Sequence, residues 1–350
     1  MKILVSALEY SANIHLKALA KELNGVEFVG IFDKSLGKPI VDLQSLAIMG
    51  LADAIKKLLF FYKLGEEMVK LSRDVDKVLL IDSSGFNLPL AKKIKKRYPK
   101  KEIIYYILPQ AWVWKRGRVK TLEQNINRLL SILPFEREIY SKDAPIEYVG
   151  HPLLDEIQEF KSSVKKEIEN VVFMPGSRRA EIKSLMPIYH QIKEKLKLPA
   201  KIVLPPYFDA KTIKELYGDL SDFEITHDAH QAIYQSDFGF ICSGTATLEA
   251  SLIGTPFLLS YIAKPFDYFV GKKILRLNIE YAGLANIFSN HFQNRPMHPE
   301  FIQDEVNVDN LLKGFYSIDK EQFLEDSKAL RDYLGQGASR RVAQIIQGEV

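Results

Sequence analysis

Residues 171–182 read VVFMPGSRRAEI. An apolar run stops at Pro-Gly-Ser, two arginines follow, and a helical pattern begins with Glu181 in its first turn. Backbone N–H groups at such a strand-to-helix turn point outward, and the helix start carries partial positive charge. Gly176 and Ser177 form the turn, and a glycine there lets the backbone approach a ligand closely. Arg178 can pair bidentately with phosphate oxygens. This is not a Walker A loop, because no Lys-Ser/Thr pair follows. The competing reading is a plain turn whose surface Arg178 pairs with Glu181. Residues 241–256, ICSGTATLEASLIGTP, repeat the arrangement. Ser243, Gly244 and Thr245 offer donors to a diphosphate at a second helix start. Glu249, one turn in, can accept hydrogen bonds from two vicinal hydroxyls such as those of a ribose. Ordinary capping would also explain this string. Two anion-ready turns at the carboxyl ends of parallel strands favour a nucleotide-diphosphate site.

A second set of polar residues lies near the start of the chain. ALEYSANIH places Glu9, Ser11 and Asn13 where an apolar strand meets a helix, with helix capping by Ser11 or Asn13 as the alternative. IDSSGFN ends another apolar strand in Asp82. A carboxylate beside a cleft is a candidate general base, since partial burial raises its pKa toward working pH. The alternative is a turn capped by Asp82 with Ser84. LPQAWVWKRGR (108–118) holds both tryptophans, Trp112 and Trp114, followed by Lys115, Arg116 and Arg118. Aromatic and basic side chains in one loop suit a sugar face with a phosphate, or a membrane interface; a core tryptophan with a solvated basic run is the plainer reading. IMGLADAIKKLLFFYKL (48–64) sets Leu58, Leu59, Phe60 and Phe61 among lysines, and KKIKKRYPKK (92–101) is strongly basic. Together they resemble a surface that rests on anionic lipid, or else a core helix and a solvated face. No metal-ligand spacing is present, so neither a metal nor another cofactor is expected. His227 and His230 lack ligand-type neighbours in sequence, Cys242 lies inside an apolar strand, and no G-x-S-x-G elbow occurs.

The elements that must position these residues alternate along the chain. Apolar runs at 2–8, 26–32, 77–82, 102–108, 129–135 and 146–150 read as buried parallel strands, with helical spacing at 15–23, 50–72 and 90–98. Residues 155–170 are polar and charged, as in a linker with its flanking helix. A second series follows: strands at 171–175, 201–206, 223–228, 238–243 and 256–262, and helices at 181–197, 210–217 and 245–253. The expected fold is α/β: two doubly wound parallel-sheet domains facing across a cleft. The domains are expected at 1–165 and 166–318, with charged helices at 319–350. A length of 350 residues suits two cores, and 47% hydrophobic with 26% charged residues is the composition of a globular protein. One cysteine cannot form an internal disulfide, which fits a reducing compartment. Residues 1–8 run straight into Glu9 without a cleavage pattern, and no stretch of 18 apolar residues occurs, so neither a signal peptide nor a membrane span is expected. A net charge of +4 is too small to argue for nucleic acid.

The strings LPQAWVWKRGR, LPFE (133–136), YVGHPLLD (148–155), MPGSRRAEI, CSGTATLEASLIGTP, YIAKPF (261–266) and LANIF (284–288) come in the order found in lipid-A-disaccharide synthases. The chain resembles that family from about residue 3 to residue 302. The resemblance implies the GT-B fold of sugar-nucleotide transferases. It implies transfer from UDP-2,3-diacylglucosamine to 2,3-diacylglucosamine 1-phosphate, with inversion and without metal, giving a β(1→6) disaccharide 1-phosphate and UDP. It also implies a cytoplasmic enzyme, peripheral on the inner membrane. Its C-terminal helices would cross back to the N-terminal domain or exchange between protomers of a homodimer.

Roles carry over by position. Arg178 would pair with the donor diphosphate, with Gly176, Ser177, Ser243, Gly244 and Thr245 around it. Glu249 would hold the ribose, and Asn286 resembles a family asparagine near the donor. Asp82 would deprotonate the acceptor hydroxyl, with Glu9 and Ser11 near the reacting sugars. Arg118, Lys115 and Trp114 would meet the acceptor and its phosphate. Two strings depart from the family pattern. G-E-x-S-G-D reads LEYSAN, so Asn13 replaces an aspartate, and I-D-x-x-D-F-N has Gly85 in place of its second aspartate. The turns alone would also suit another UDP-sugar enzyme with a soluble substrate, such as a UDP-N-acetylglucosamine epimerase, or a non-catalytic nucleotide-binding protein.

Overall fold

A computed structural model of the chain describes residues 1–41, 54–109, 117–263 and 281–349. The loop with Trp114 and Lys115, the first part of the 48–64 segment and the KPF string lie outside the described residues. Two compact units emerge: Met1–Glu156 with Leu334–Val350, and Ile157–Tyr333.

The first unit runs β1 (Lys2–Ser6), α1 (Tyr10–Glu22), β2 (Glu27–Ile31), α2 (Ala54–Leu71), β3 (Lys77–Ile81), α3 (Ser84–Arg97), β4 (Glu102–Tyr106), α4 (Gly117–Asn125), β5 (Arg128–Ser131), β6 (Ile146–Tyr148) and α5 (Leu153–Glu156). The six strands form one parallel sheet in the order β2-β1-β3-β4-β5-β6. Both faces are covered, which is why the strands read as continuous apolar runs. Ile3, Val5, Leu79 and Ile81 pack toward α1. Leu4, Val78 and Leu80 pack with Leu64 and Met68 of α2 and Ala91 and Ile94 of α3.

The second unit runs β7 (Val171–Met174), α6 (Arg179–Leu196), β8 (Ala200–Val203), α7 (Ala210–Tyr217), β9 (Glu224–Thr226), α8 (Ala229–Gln235), β10 (Phe238–Cys242), α9 (Thr245–Ile253), β11 (Phe257–Tyr261), α10 (Leu284–Gln293), β12 (Glu300–Ile302), α11 (Val308–Ser317) and α12 (Lys320–Leu334). Its parallel sheet has the order β12-β11-β10-β7-β8-β9. A stacked pair, Phe173 on Phe240 at 5.0 Å, sits in its core.

Each strand expected from sequence is present, with ends shifted by one to four residues, most of them shorter. The short β12 and the helices α4, α10 and α11 were not expected. β12 holds only Glu300–Ile302, too few residues for a period to show. α3 begins at Ser84 rather than residue 90, because Pro89 reads as a breaker yet sits within its second turn.

The last helix, α13 (Ala338–Gln347), returns to the first unit and packs on α1 through Val342, Ile345 and Ile346. The string 147–155 docks it. Asp155 accepts from the N–H groups of Gly337 and Ser339, each at 2.8 Å. Arg341 pairs with Glu147, and the Tyr148 hydroxyl donates to the Leu334 carbonyl. Gly150 is required here: its φ is +94°, and a Cβ would lie 3.1 Å from the Gly335 carbonyl. Asp155→Ala strips the acceptor from two helix-start donors. It should cost about 1 kcal/mol of stability, read as a lower urea midpoint with an unchanged slope.

Candidate active site

In each sheet the strand order reverses beside the first strand of the unit. Ligands bind parallel sheets at such a point, outside the strand carboxyl ends, because the two following helices go to opposite faces and leave the loops uncovered. In the first unit the point lies between β1 and β3, whose following turns carry Glu9 and Asp82. In the second it lies between β7 and β10, whose turns are PGSR and SGT. The polar residues picked from sequence therefore stand in two groups, each at a switch point.

In the first group, Glu9 is the N-cap residue of α1 and its side chain makes no capping bond. It accepts instead from the Ser83 hydroxyl at 3.2 Å. Asp82 is half-buried. Burial and then the charge of Glu9 push its carboxyl above the ordinary aspartate range, outweighing the Ser83 backbone N–H and the His15 charge. Asp82 and Ser83 both adopt left-handed backbone, φ +49° and +43°. His15 in turn meets Glu156 at 2.5 Å. Ser11 is exposed in the first turn of α1. Neither Ser11 nor Asn13 caps that helix. Asn13 is buried and donates to the Ala7 and Glu9 carbonyls, both at 2.8 Å, while its oxygen accepts from the Asp33 N–H at 2.7 Å. A carboxylate at this position would have no hydrogens for the two carbonyls, so Asn13 holds the Glu9 loop in shape. Arg118 lies on α4, and its charge acts on the Tyr105 hydroxyl, which donates to the Asp82 carbonyl.

In the second group, Gly176 has φ +95°, and a Cβ there would lie 2.6 Å from Glu181 Oε2. Glu181 folds back into the turn. It takes the Arg178 guanidinium at 2.8 Å and its N–H at 3.3 Å. Arg178 is therefore paired as the plainer reading expected. Its side chain is nevertheless 77% exposed, and Glu181 engages one of its five donors. An ion pair this exposed holds with about 0–1 kcal/mol, less than a bidentate bond to phosphate, so Arg178 can serve both. Its neighbour Arg179 pairs with Glu215 on the surface. Cys242 lies against Glu181, and burial first pushes its thiol up to about 12, so it stays unreactive.

In the SGT turn the Ser243 hydroxyl donates to the Ala282 carbonyl at 3.2 Å. The groups left for an anion are then the first N–H groups of α9, around exposed Gly244 and Thr245. Glu249 is half-buried with His230 Nε2 at 3.7 Å, a partner that sequence spacing did not reveal.

Asn286 departs from expectation. It is fully buried. Its amide donates to the His298 carbonyl and Glu300, and its oxygen accepts from the N–H groups of Met297 and His298. Every side-chain hydrogen-bonding position is taken within the unit, so its amide braces the loop. Glu300 holds the Ala282 and Gly283 N–H groups at 2.6 and 3.0 Å. Nothing in the sequence pointed to Glu300, which sits in the unrecognised β12.

Three comparisons bear on this geometry. The family described as Lipid-A-disaccharide synthetase matches residues 3–346. The chain belongs to the lipid-A-disaccharide synthase family. A Lipid-A-disaccharide synthase of Helicobacter pylori (strain ATCC 700392 / 26695) is 46% identical over 356 residues, covering 97% of this chain and 96% of that one. Another, of Campylobacter jejuni (strain RM1221), is 42% identical and covers 98% of each. Among solved structures, MurG of Acinetobacter baumannii superposes with a TM-score of 0.60 at 14% identity over 99% of both chains. UDP-GlcNAc 2-epimerase from Neisseria meningitidis, bound to UDP-GlcNAc, gives 0.59 at 12% identity over 100% of this chain and 99% of that one. The fold is GT-B, and this family member is a glycosyltransferase of lipid A biosynthesis.

The family string LPFE places Glu136 apart from both groups. It is 1% exposed, and burial pushes its carboxyl up to about 8. Burial outweighs the Ser131 hydroxyl, which donates to the Glu136 carboxyl at 2.5 Å and also reaches the Leu133 carbonyl at 2.9 Å. Its folded pKa is raised, so its contribution is full at low pH and is lost as pH rises from the unfolded value through about 8. Glu136→Gln should remove that loss. Urea unfolding should show it roughly 1–3 kcal/mol more stable than the natural chain at pH 8.5 and little changed at pH 4.

Proposed function

We propose that the chain transfers the acylated glucosamine of UDP-2,3-diacylglucosamine to the 6-hydroxyl of 2,3-diacylglucosamine 1-phosphate. The observation that carries this reading is the pairing of the PGSR and SGT turns on adjacent strands at the switch point of the second unit. Arg178 and the starts of α6 and α9 hold the donor diphosphate. As the bond from the anomeric carbon to UDP breaks, negative charge gathers on the leaving phosphate, and these groups are already oriented to meet it. Glu249 holds the ribose hydroxyls. Asp82 takes the proton from the acceptor hydroxyl as that oxygen attacks the anomeric carbon with inversion. Glu9 and Ser83 supply its charged and hydrogen-bonded surroundings, and Arg118 meets the acceptor phosphate. A raised aspartate pKa makes a better base, provided the working pH lies above it.

The same reading places the chain on the cytoplasmic face of the inner membrane. Among the described residues no helix is long and apolar enough to cross a membrane. α2, however, exposes Leu58 at 72%, Leu59 at 55% and Tyr62 at 60%. Phe60 and Phe61, expected on the same surface, instead pack against the core, with Phe61 edge-on to Phe86 at 5.9 Å. Consecutive helix positions diverge by about 100°, so one stretch cannot turn all four side chains outward. Leu58, Leu59 and Tyr62 form the lipid-facing edge.

Mass analysis of a reaction with both acylated substrates should show the disaccharide 1-phosphate; absence of that product rejects the reading. Asp82→Asn should lower kcat by about 10²–10⁴-fold and leave UDP affinity unchanged. In the natural chain kcat should fall as pH drops through an apparent pKa above the ordinary aspartate value. Arg178→Ala should weaken UDP binding roughly tenfold or more. Flotation with anionic liposomes should carry the natural chain, and Leu58→Asp with Leu59→Asp should leave it behind.

A further inference from the structure

Between β3 and α3 there are only two residues, Asp82 and Ser83, and neither is glycine. Both are left-handed, at φ +49° and +43°. An L-residue pays roughly 1–2 kcal/mol for that conformation. The nearby Gly85 would bear it freely, yet it is spent inside α3. Aspartate visits this region more readily than most L-residues, but as a single residue; with Ser83 left-handed beside it, the turn is held by tertiary bonds. The Asp82 carbonyl accepts from the Tyr105 hydroxyl at 2.6 Å and from the Asn87 amide at 2.8 Å. The same amide donates to the Ile81 carbonyl at 3.1 Å, and the Asn87 oxygen accepts from the Ser6 hydroxyl at 2.6 Å. The Asp82 N–H donates to the Tyr106 carbonyl at 3.1 Å. Ser6, Asn87 and Tyr105 are each 0% exposed. The peptide after Asp82 is thus gripped from β1, β4 and α3 at once. The turn so held brings the Ser83 hydroxyl onto Glu9.

We infer that Tyr105 and Asn87 are positioning residues: their grip on the Asp82 carbonyl keeps the Asp82–Ser83 turn left-handed and so aims the Asp82 carboxylate for proton abstraction. The inference rests on the reading of Asp82 as the base. The phenol and amide touch the backbone, not the reacting atoms, so their removal must act through Asp82. If the turn relaxes, Asp82 moves toward solvent and away from Glu9, and both causes of its raised pKa weaken.

The test is steady-state kinetics on Tyr105→Phe, which keeps the ring and deletes one hydrogen bond. Expected are a kcat at least tenfold lower, KM values for both substrates within twofold, and an acidic limb of the kcat profile moved to lower pH. Tyr105→Phe combined with Asp82→Asn should be no slower than Asp82→Asn alone, because the clamp has nothing left to aim. Ser83→Gly should return part of the activity lost in Tyr105→Phe, since glycine adopts this conformation without strain. Unchanged kcat and pH profile in Tyr105→Phe, or multiplicative losses in the double variant, would overturn the inference. Full activity in Asp82→Asn alone would instead reject the base itself. Should Tyr105→Phe not yield folded protein, the same readings apply to Asn87→Ser, which keeps a hydroxyl for Ser6 but no amide for Asp82.

Discussion

Two neighbouring parallel strands whose following helices leave toward opposite faces of the sheet cannot both cover their own carboxyl ends. That constraint organises each half of this chain. After β1 the chain turns toward the face packed with α1 and α13; after β3 it turns toward the face of α2 and α3. The backbone at the junction stays open, with N–H groups and short polar side chains around it. The second unit repeats the geometry between β7 and β10. The strands are mostly apolar and their few polar groups, such as Ser6 and Tyr105, are buried, so the exposed polar residues gather in the first few positions beyond each strand.

The two switch points handle charge in opposite ways. In the second unit Glu181 holds Arg178 through an ion pair that is largely exposed on the arginine side. Solvent screens such a pair, so it would yield to a phosphate at little cost. In the first unit like charges are brought together: Glu9 and Asp82 share one end of the sheet, and burial adds to their repulsion. On the proposed reading, one arrangement would keep a cation available for the donor diphosphate, and the other would keep a carboxylate ready to accept a proton. Around both, the buried amides of Asn13, Asn87 and Asn286, each donating both hydrogens and accepting at its oxygen, set the loops without touching the open surface. An unsatisfied amide in those places would cost about 1–3 kcal/mol, so the loops have little freedom to rearrange.

Much of this was legible in the sequence, because parallel strands buried on both faces leave unbroken apolar runs and glycine marks the turns between them. VVFMPGSR and FICSGT announce a strand, a turn and a helix start with no tertiary information. KVLLID likewise ends in its carboxylate. What the sequence determined by itself was therefore the alternation of elements, the family and the residues that stand at strand ends. Tertiary structure decided which of those ends are neighbours, since strand order is set by packing between segments far apart in the chain. It decided that Asn286 faces inward and Ser243 is committed to Ala282, because hydrogen-bond partners across 10–40 positions leave no periodic trace. It decided that Leu58 and Leu59 are exposed while Phe60 and Phe61 are half-buried against the core, since a helix's rotation is set by what it packs against. Above all, it decided the left-handed turn at Asp82 and Ser83. Two successive non-glycine residues in that conformation carry a cost, and Tyr105, Asn87 and Ser6, drawn from three other elements, hold the turn.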